Sequence, residues 1–105
     1  MIHSTATSPV IFDQDGMLGH SLATFGDVEY IQLSLPPGAT LPKHALPFAI
    51  EFFLISGTGT ALLAEREVEM TAQQLIRVEA GEPRGWHNPG TADLVLLGIK
   101  HIAVE

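Results

Sequence analysis

Short segments with apolar residues at every second position run through this chain, and helical spacing is hard to find. Such alternation is typical of strands that bury one face, especially where Gly, Pro, Asp and Asn residues separate the segments. The pattern predicts strands at residues 28–35, 52–56, 58–64, 74–78 and 93–101, with two further candidates at 10–12 and 18–25. Seven or eight short strands favour an all-β sandwich or barrel.

The charged segment 65–74 fits two local structures. It reads as a single helical turn, or as part of a hairpin. The run from Ala64 to Glu67, followed by the apolar Val68, favours a hairpin tip between two strands.

One predicted strand has large apolar side chains on both faces. Phe52 and Leu54 point to one side of it, while Phe53 and Ile55 point to the other. A strand of this kind has to be covered on both sides. Because a monomer would leave an exposed apolar patch, we expect the chain to associate with itself.

Length and composition are those of one domain. Of the 105 residues, 46% are hydrophobic, which is ample for one core without a disulfide or an obligatory metal. The chain has no cysteine, which excludes disulfides, thiolate zinc sites and cysteine nucleophiles. A formal net charge of -7 opposes binding to nucleic acid and to anionic membranes. No secretory signal is visible and the apolar run FAIEFFLI is too short to span a bilayer, so we expect a cytoplasmic protein without nucleic-acid or membrane partners.

Two stretches about forty residues apart carry a family resemblance: GATLPKHALPFAIEFFLISGTG, from Gly38, and EAGEPRGWHNPG, from Glu79. Together they resemble the paired motifs of the cupin superfamily, in its small conserved-barrel type. The resemblance implies an all-β fold with a single cupin jelly-roll β-barrel, or double-stranded β-helix, and a homodimer. It also implies one cupin domain over residues 1–105, with N-terminal strands in 1–27 and the conserved barrel over 28–101.

The first motif of the family reads Gly, five residues, His-x-His, three or four residues, Glu, then about six residues to a Gly. Gly38, His44 and Gly57 fit this frame, but Leu46 stands at the second histidine position. Counting back from Gly57 places the glutamate position of the motif at Ile50. The nearest glutamate of this chain, Glu51, lies one residue closer to the glycine. Because a one-residue slip turns a strand side chain to the opposite face, Glu51 points away from the cavity unless a bulge reorients it.

The second motif of the family reads Pro-x-Gly, two residues, His, three residues, Asn. Gly81 and Asn88 match it, while Glu79 stands at the proline position and Arg84 at the histidine position. In the family, three histidines and a glutamate hold a divalent cation in the barrel. A guanidinium cannot coordinate a metal and would repel one nearby, so we expect that the metal site is lost and that no cofactor is needed.

A buried arginine needs a partner, because an unpaired charge in a low-dielectric pocket is costly. For Arg84 three situations stay open: binding of an anionic ligand by its planar fork, an ion pair with Glu51, or simple exposure to solvent. His44 is either a hydrogen-bonded pocket residue or a general base, and Trp86 is either a pocket wall or core. Strand parity places Arg84, Trp86 and Asn88 on one face and His87 on the other, so His87 is expected at the surface.

Three functions follow. The first is capture of a small anionic or polar molecule by Arg84 and His44, with Trp86 and Glu51 as further ligand-binding candidates, in a sensor, carrier or enzyme. The second is a metal-dependent cupin enzyme of the dioxygenase, isomerase or decarboxylase type, in which His44, Glu51 and His87 hold a divalent transition metal. The third is a structural or interaction domain with a filled barrel. Sequence alone leaves open whether the protein is an enzyme.

Overall fold

The computed structural model describes residues 1–103, and in them the chain forms β-strands and no helix. The strands are β1 (Val10–Gln14), β2 (Met17–Phe25), β3 (Val28–Leu35), β4 (Thr40–His44), β5 (Ile50–Ser56), β6 (Thr58–Leu63), β7 (Glu67–Thr71), β8 (Leu75–Val78), β9 (Arg84–His87) and β10 (Leu94–His101). All seven predicted strands are present, and the all-β prediction is confirmed. Residues 1–103 contain no helix long and apolar enough to cross a membrane.

The strands form two antiparallel sheets. The larger has six strands in the order β1-β2-β3-β10-β5-β8, and the smaller has four in the order β4-β9-β6-β7. The predicted hairpin tip joins β6 to β7, where the Leu63 amide donates to the Arg66 carbonyl at 2.9 Å. The helical alternative for segment 65–74 is therefore wrong.

Three strands lie outside the predicted bounds: β4, β7 and β9, although strand parity was already applied to residues 84–88. In β4, Pro42 interrupts the apolar alternation, and the strand is largely exposed. Proline is tolerated there because β4 is an edge strand of the smaller sheet. β7 alternates acidic with apolar residues, as a half-buried strand does, but it lies in the charged segment 65–74 that was interpreted as a hairpin tip.

The apolar core lies between the two sheets. Leu35, Leu54 and Leu94 of the larger sheet are fully buried. Phe52 of β5 meets Trp86 of β9 edge to face, with ring centroids 5.3 Å apart. This aromatic pair joins the two layers next to the site described below.

Asn88 fixes the turn that follows β9. Its side chain is fully buried, and Nδ2 donates to the carbonyls of Leu35 and Ala92, both at 2.9 Å. Its Oδ1 accepts from the Gly90 amide at 2.9 Å. These bonds make Asn88 a turn residue, and they satisfy the polar atoms of its buried amide.

Candidate functional site in the barrel

A cavity of about 290 Å³ lies between the inner faces of the two sheets. Its wall is mainly apolar, with Ile31, Leu33, Ile50 and Phe52 from the larger sheet and Leu41 and Trp86 from the smaller. Three residues with ionisable side chains also line it: His44, Arg84 and Lys100. Its volume is at the lower end of the range of about 300–1,000 Å³ that is usual for small-molecule sites.

A β-bulge in β4 brings His44 to the cavity. Leu41 pairs with Trp86 and His44 pairs with Arg84, so three steps along β4 match two steps along β9. In a regular strand, residues three apart face opposite sides, but here both Leu41 and His44 line the cavity. The bulge approaches Gly85 closely, because a Cβ there would lie 2.5 Å from the Leu41 carbonyl oxygen and 2.9 Å from the Lys43 nitrogen.

Arg84 is the buried charge of the site, with 2% of its surface exposed. Its Nη2 donates to the Phe48 carbonyl at 3.1 Å, and its Nε donates to the Glu82 carbonyl at 3.3 Å. Within residues 1–103, the buried Nη1 has no hydrogen-bond partner. Burial lowers the pKa of the Arg84 guanidinium, and the nearby Glu82 carboxylate acts in the opposite direction. The group still carries its charge at neutral pH, since arginine titrates far above that range.

His44 lies exposed on the cavity wall. Its Nδ1 is 3.1 Å from the Pro42 carbonyl oxygen. A carbonyl only accepts hydrogen bonds, so this contact assigns the proton of the neutral ring to Nδ1. The lone pair is then on Nε2, which is the nitrogen available to accept a proton or a hydrogen bond.

Lys100 is a cationic wall residue that the sequence interpretation missed. It lies at the end of β10, on the same side as the buried Leu94, Leu96 and Gly98. Its Nζ is 3.7 Å from Glu29 Oε1 and 5.4 Å from the centre of the Phe48 ring. The alternation along β10 was the available signal, because period two places residues 94, 96, 98 and 100 on one face.

Glu51 does not line the cavity, which corrects the expectation that it takes part in ligand binding or pairs with Arg84. Its carboxylate binds the Arg77 guanidinium and, at 2.6 Å, His101 Nε2. β5 is regular at this point, with Ile50 and Phe52 facing the cavity and Glu51 facing the opposite side. The register shift in β5 comes only after Leu54, too late to reorient Glu51.

His87 is half-buried and also lies outside the cavity wall. Its Nδ1 is 2.8 Å from the Thr40 hydroxyl, across the β4–β9 ladder. Arg84 and Trp86, by contrast, both line the cavity. The strand parity of β9 is therefore as expected.

The Cupin domain family model matches residues 32–100 of the chain, about two thirds of its length. The chain belongs to the cupin family. No curated protein matches this cupin significantly.

Solved structures of other proteins share the fold. A predicted oxalate decarboxylase from Thermotoga maritima is 17% identical, with a TM-score of 0.83 and coverage of 98% of this chain and 100% of that one. An RmlC-like cupin from Shewanella frigidimarina is 15% identical, with a TM-score of 0.83 and coverage of 97% and 90%. KdgF from Halomonas sp. is 11% identical, with a TM-score of 0.82 and coverage of 96% and 94%. These similarities show the jelly-roll barrel, as the motifs implied.

The residues of this cupin do not fit the metal that many cupins bind. At the four positions where the family has ligands, only His44 carries a donor facing the cavity, because the others hold Leu46, Arg84 and either Ile50 or the outward-facing Glu51. Within residues 1–103, no three His, Cys, Asp or Glu side chains come close enough to hold a metal ion. His44, Glu51 and His87, the alternative ligand set, do not converge on one point.

Proposed function

We propose that this cupin binds a small anionic molecule in its barrel, with Arg84 providing the positive charge that a metal ion provides in other cupins. The observation that carries the proposal is the buried Arg84 Nη1, which has no hydrogen-bond partner within residues 1–103 although the residue lines a cavity. Buried polar groups are almost always paired, and an uncompensated buried charge costs several kcal/mol. An anionic ligand would supply the missing acceptor.

The cavity favours ligand binding over a structural domain with a filled barrel. A volume of about 290 Å³ leaves room for a small molecule beside the guanidinium. Both hydrogen bonds of Arg84 go to backbone carbonyls, so within residues 1–103 no carboxylate takes the place of a ligand. The oxygens of a carboxylate or phosphate are the usual partners of such a planar fork.

His44 is the second residue of the proposed site. With its proton on Nδ1, its Nε2 can accept a hydrogen bond or a proton from a ligand that binds beside it. Its role as a general base stays a prediction, and it would require Nε2 within hydrogen-bond reach of a ligand proton. Trp86 forms the apolar wall of the proposed site.

Thermal unfolding in the presence of small anions tests the proposal. Inorganic phosphate, acetate and benzoate are added separately to wild-type protein, to Arg84→Met, and to the matched control Arg66→Met, which removes the same charge at the exposed β6–β7 turn. A ligand that binds only the folded state raises its melting temperature. At least one anion should stabilise the wild type and Arg66→Met but not Arg84→Met. If none of the three stabilises the wild type, the proposal is overturned.

We also propose that two copies associate through the outer face of the larger sheet. Leu97 of β10 pairs with Phe53 of β5, which pairs with Leu75 of β8, so apolar side chains continue across three strands. Leu75 is 60% exposed. Apolar surface of this extent favours a protein partner, and a second copy is the partner that the sequence predicts. The single domain over residues 1–105 and the cytoplasmic location stay predictions.

A further inference from the structure

We infer that the ligand of the barrel is a monocarboxylate with an apolar body, bound between Arg84 and Lys100. This inference rests on the proposed function and narrows it to a ligand class. It follows from three features of the cavity: where its two cations lie, how much negative charge already faces them, and what forms the rest of the wall.

Both cations of the cavity contact Phe48, one at its carbonyl and the other at its ring. Arg84 donates to the Phe48 carbonyl at 3.1 Å, and Lys100 Nζ lies 5.4 Å from the centre of the Phe48 ring. Both residues line the cavity. We therefore place the ligand head group beside Phe48, between the two cations.

Within residues 1–103, the charged side chains at the cavity wall leave one positive charge uncompensated, because the Glu82 carboxylate that acts on the Arg84 pKa is screened by solvent. Arg84 and Lys100 carry one each, and Glu29 lies 3.7 Å from Lys100. Glu29 is also held by Ser21, whose hydroxyl donates to Oε2 at 2.8 Å. Glu82 is exposed and outside the cavity wall. A monoanion balances the remaining charge, whereas a phosphate group carries about -1.5 to -2 at neutral pH.

The rest of the wall suits an apolar ligand body. Ile31, Leu33 and Phe52 face the cavity from one sheet and Trp86 faces it from the other. A carboxylate has two oxygens, which the two cations can satisfy. Additional phosphate or sugar oxygens would lie against apolar side chains without partners, which is unfavourable.

Intrinsic fluorescence offers a direct test, since Trp86 is the only tryptophan and lines the cavity. Acetate, butyrate and hexanoate form a series of increasing apolar length. Hexanamide has the apolar body without the negative charge, and inorganic phosphate has negative charge without an apolar body. Each buried methylene should tighten binding about fourfold, so hexanoate should bind at least tenfold more tightly than acetate. Hexanamide and phosphate should bind at least tenfold more weakly than hexanoate.

Lys100→Met tests the second cation, with Lys43→Met as a matched control because Lys43 is exposed on β4 and outside the cavity wall. Lys100→Met should weaken hexanoate binding about tenfold or more, measured under conditions where the variant is folded, and Lys43→Met should not weaken it. Equal binding of wild type and Lys100→Met would overturn the role of Lys100. If phosphate or acetate binds as tightly as hexanoate through Arg84, the ligand class is wrong and the proposed function stands. If no anion binds, both are wrong.

Discussion

His44 and Arg84 lie opposite each other in the ladder between β4 and β9, and both line the cavity. His44 is exposed, whereas Arg84 is 2% exposed, so this pair combines a solvent-accessible base with a buried cation. In the family motifs both positions hold histidines that bind the metal. The substitution by Arg84 replaces a metal ligand with a fixed positive charge at the same point of the barrel.

Gly85→Ala should destabilise the protein by about 2–3 kcal/mol, because the new Cβ would collide with the backbone of the β4 bulge and overpacking costs in this range. Gly26→Ala is the control, since a Cβ there meets nothing within 4 Å and only its φ of 58° is unfavourable. That control should lose about 1 kcal/mol. Urea unfolding measures both. A loss in Gly85→Ala no larger than that in Gly26→Ala would contradict the close approach.

Arg84→Met should leave the free energy of unfolding within about 1 kcal/mol of wild type, because removing a buried, incompletely paired charge offsets the loss of its two hydrogen bonds to backbone carbonyls. Urea unfolding without added anion measures it. A loss of several kcal/mol would mean that Arg84 mainly holds the fold together through its bonds to Phe48 and Glu82.

Acid should weaken the contact between Arg77 and Glu79 on the protein surface. The hydrogen bond from Arg77, at 2.7 Å, holds the pKa of the Glu79 carboxyl below its usual value. A lowered carboxyl pKa stabilises the folded state above the ordinary pKa of about 4.3, and this contribution is lost as the pH falls through the lower pKa of the folded state. Arg77→Met should therefore lose less stability than Arg66→Met between about pH 5 and pH 3. Identical pH profiles of the two variants would contradict this account.

Leu75→Glu should shift the protein from dimer to monomer, because it places a charge at an apolar position of the outer sheet face. Thr91→Glu adds the same charge at an exposed loop position and should leave the dimer intact. Light scattering after size-exclusion chromatography gives the mass of each variant. If wild type is already a monomer, or if both variants remain dimers, the outer face is not the interface.

Much of the fold could be predicted from apolar alternation. The bounds of β3 agree with the prediction because Ile31, Leu33 and Leu35 alternate with polar residues and face the core. β4 was not predicted, because its edge position permits Pro42 and leaves its side chains exposed. Its sequence therefore has no apolar alternation. Apolar alternation arises where one face of a strand is buried, and an exposed edge strand buries little of either face.

The candidate site could be predicted only in part. His44 and Arg84 were identified from their motif positions and Trp86 from strand parity, and all three line the cavity. Glu51 lies one residue from the glutamate position of the motif. In a strand, a shift of one residue decides whether a side chain faces the cavity or the outer surface. Lys100 was missed because a lysine at the end of an apolar strand is usually solvated, and its inward position depends on pairing with β3 and β5.

The most direct test of the central claim is a Trp86 fluorescence titration with hexanoate, on chelator-treated wild type, Arg84→Met and Arg66→Met. A saturable signal in wild type and Arg66→Met that persists after chelation is expected. In Arg84→Met, loss of a charge-assisted hydrogen bond of about 1.5–3 kcal/mol should weaken binding roughly 10- to 100-fold. Binding that disappears on chelation, or that Arg84→Met retains in full, would contradict an arginine in the role of the metal.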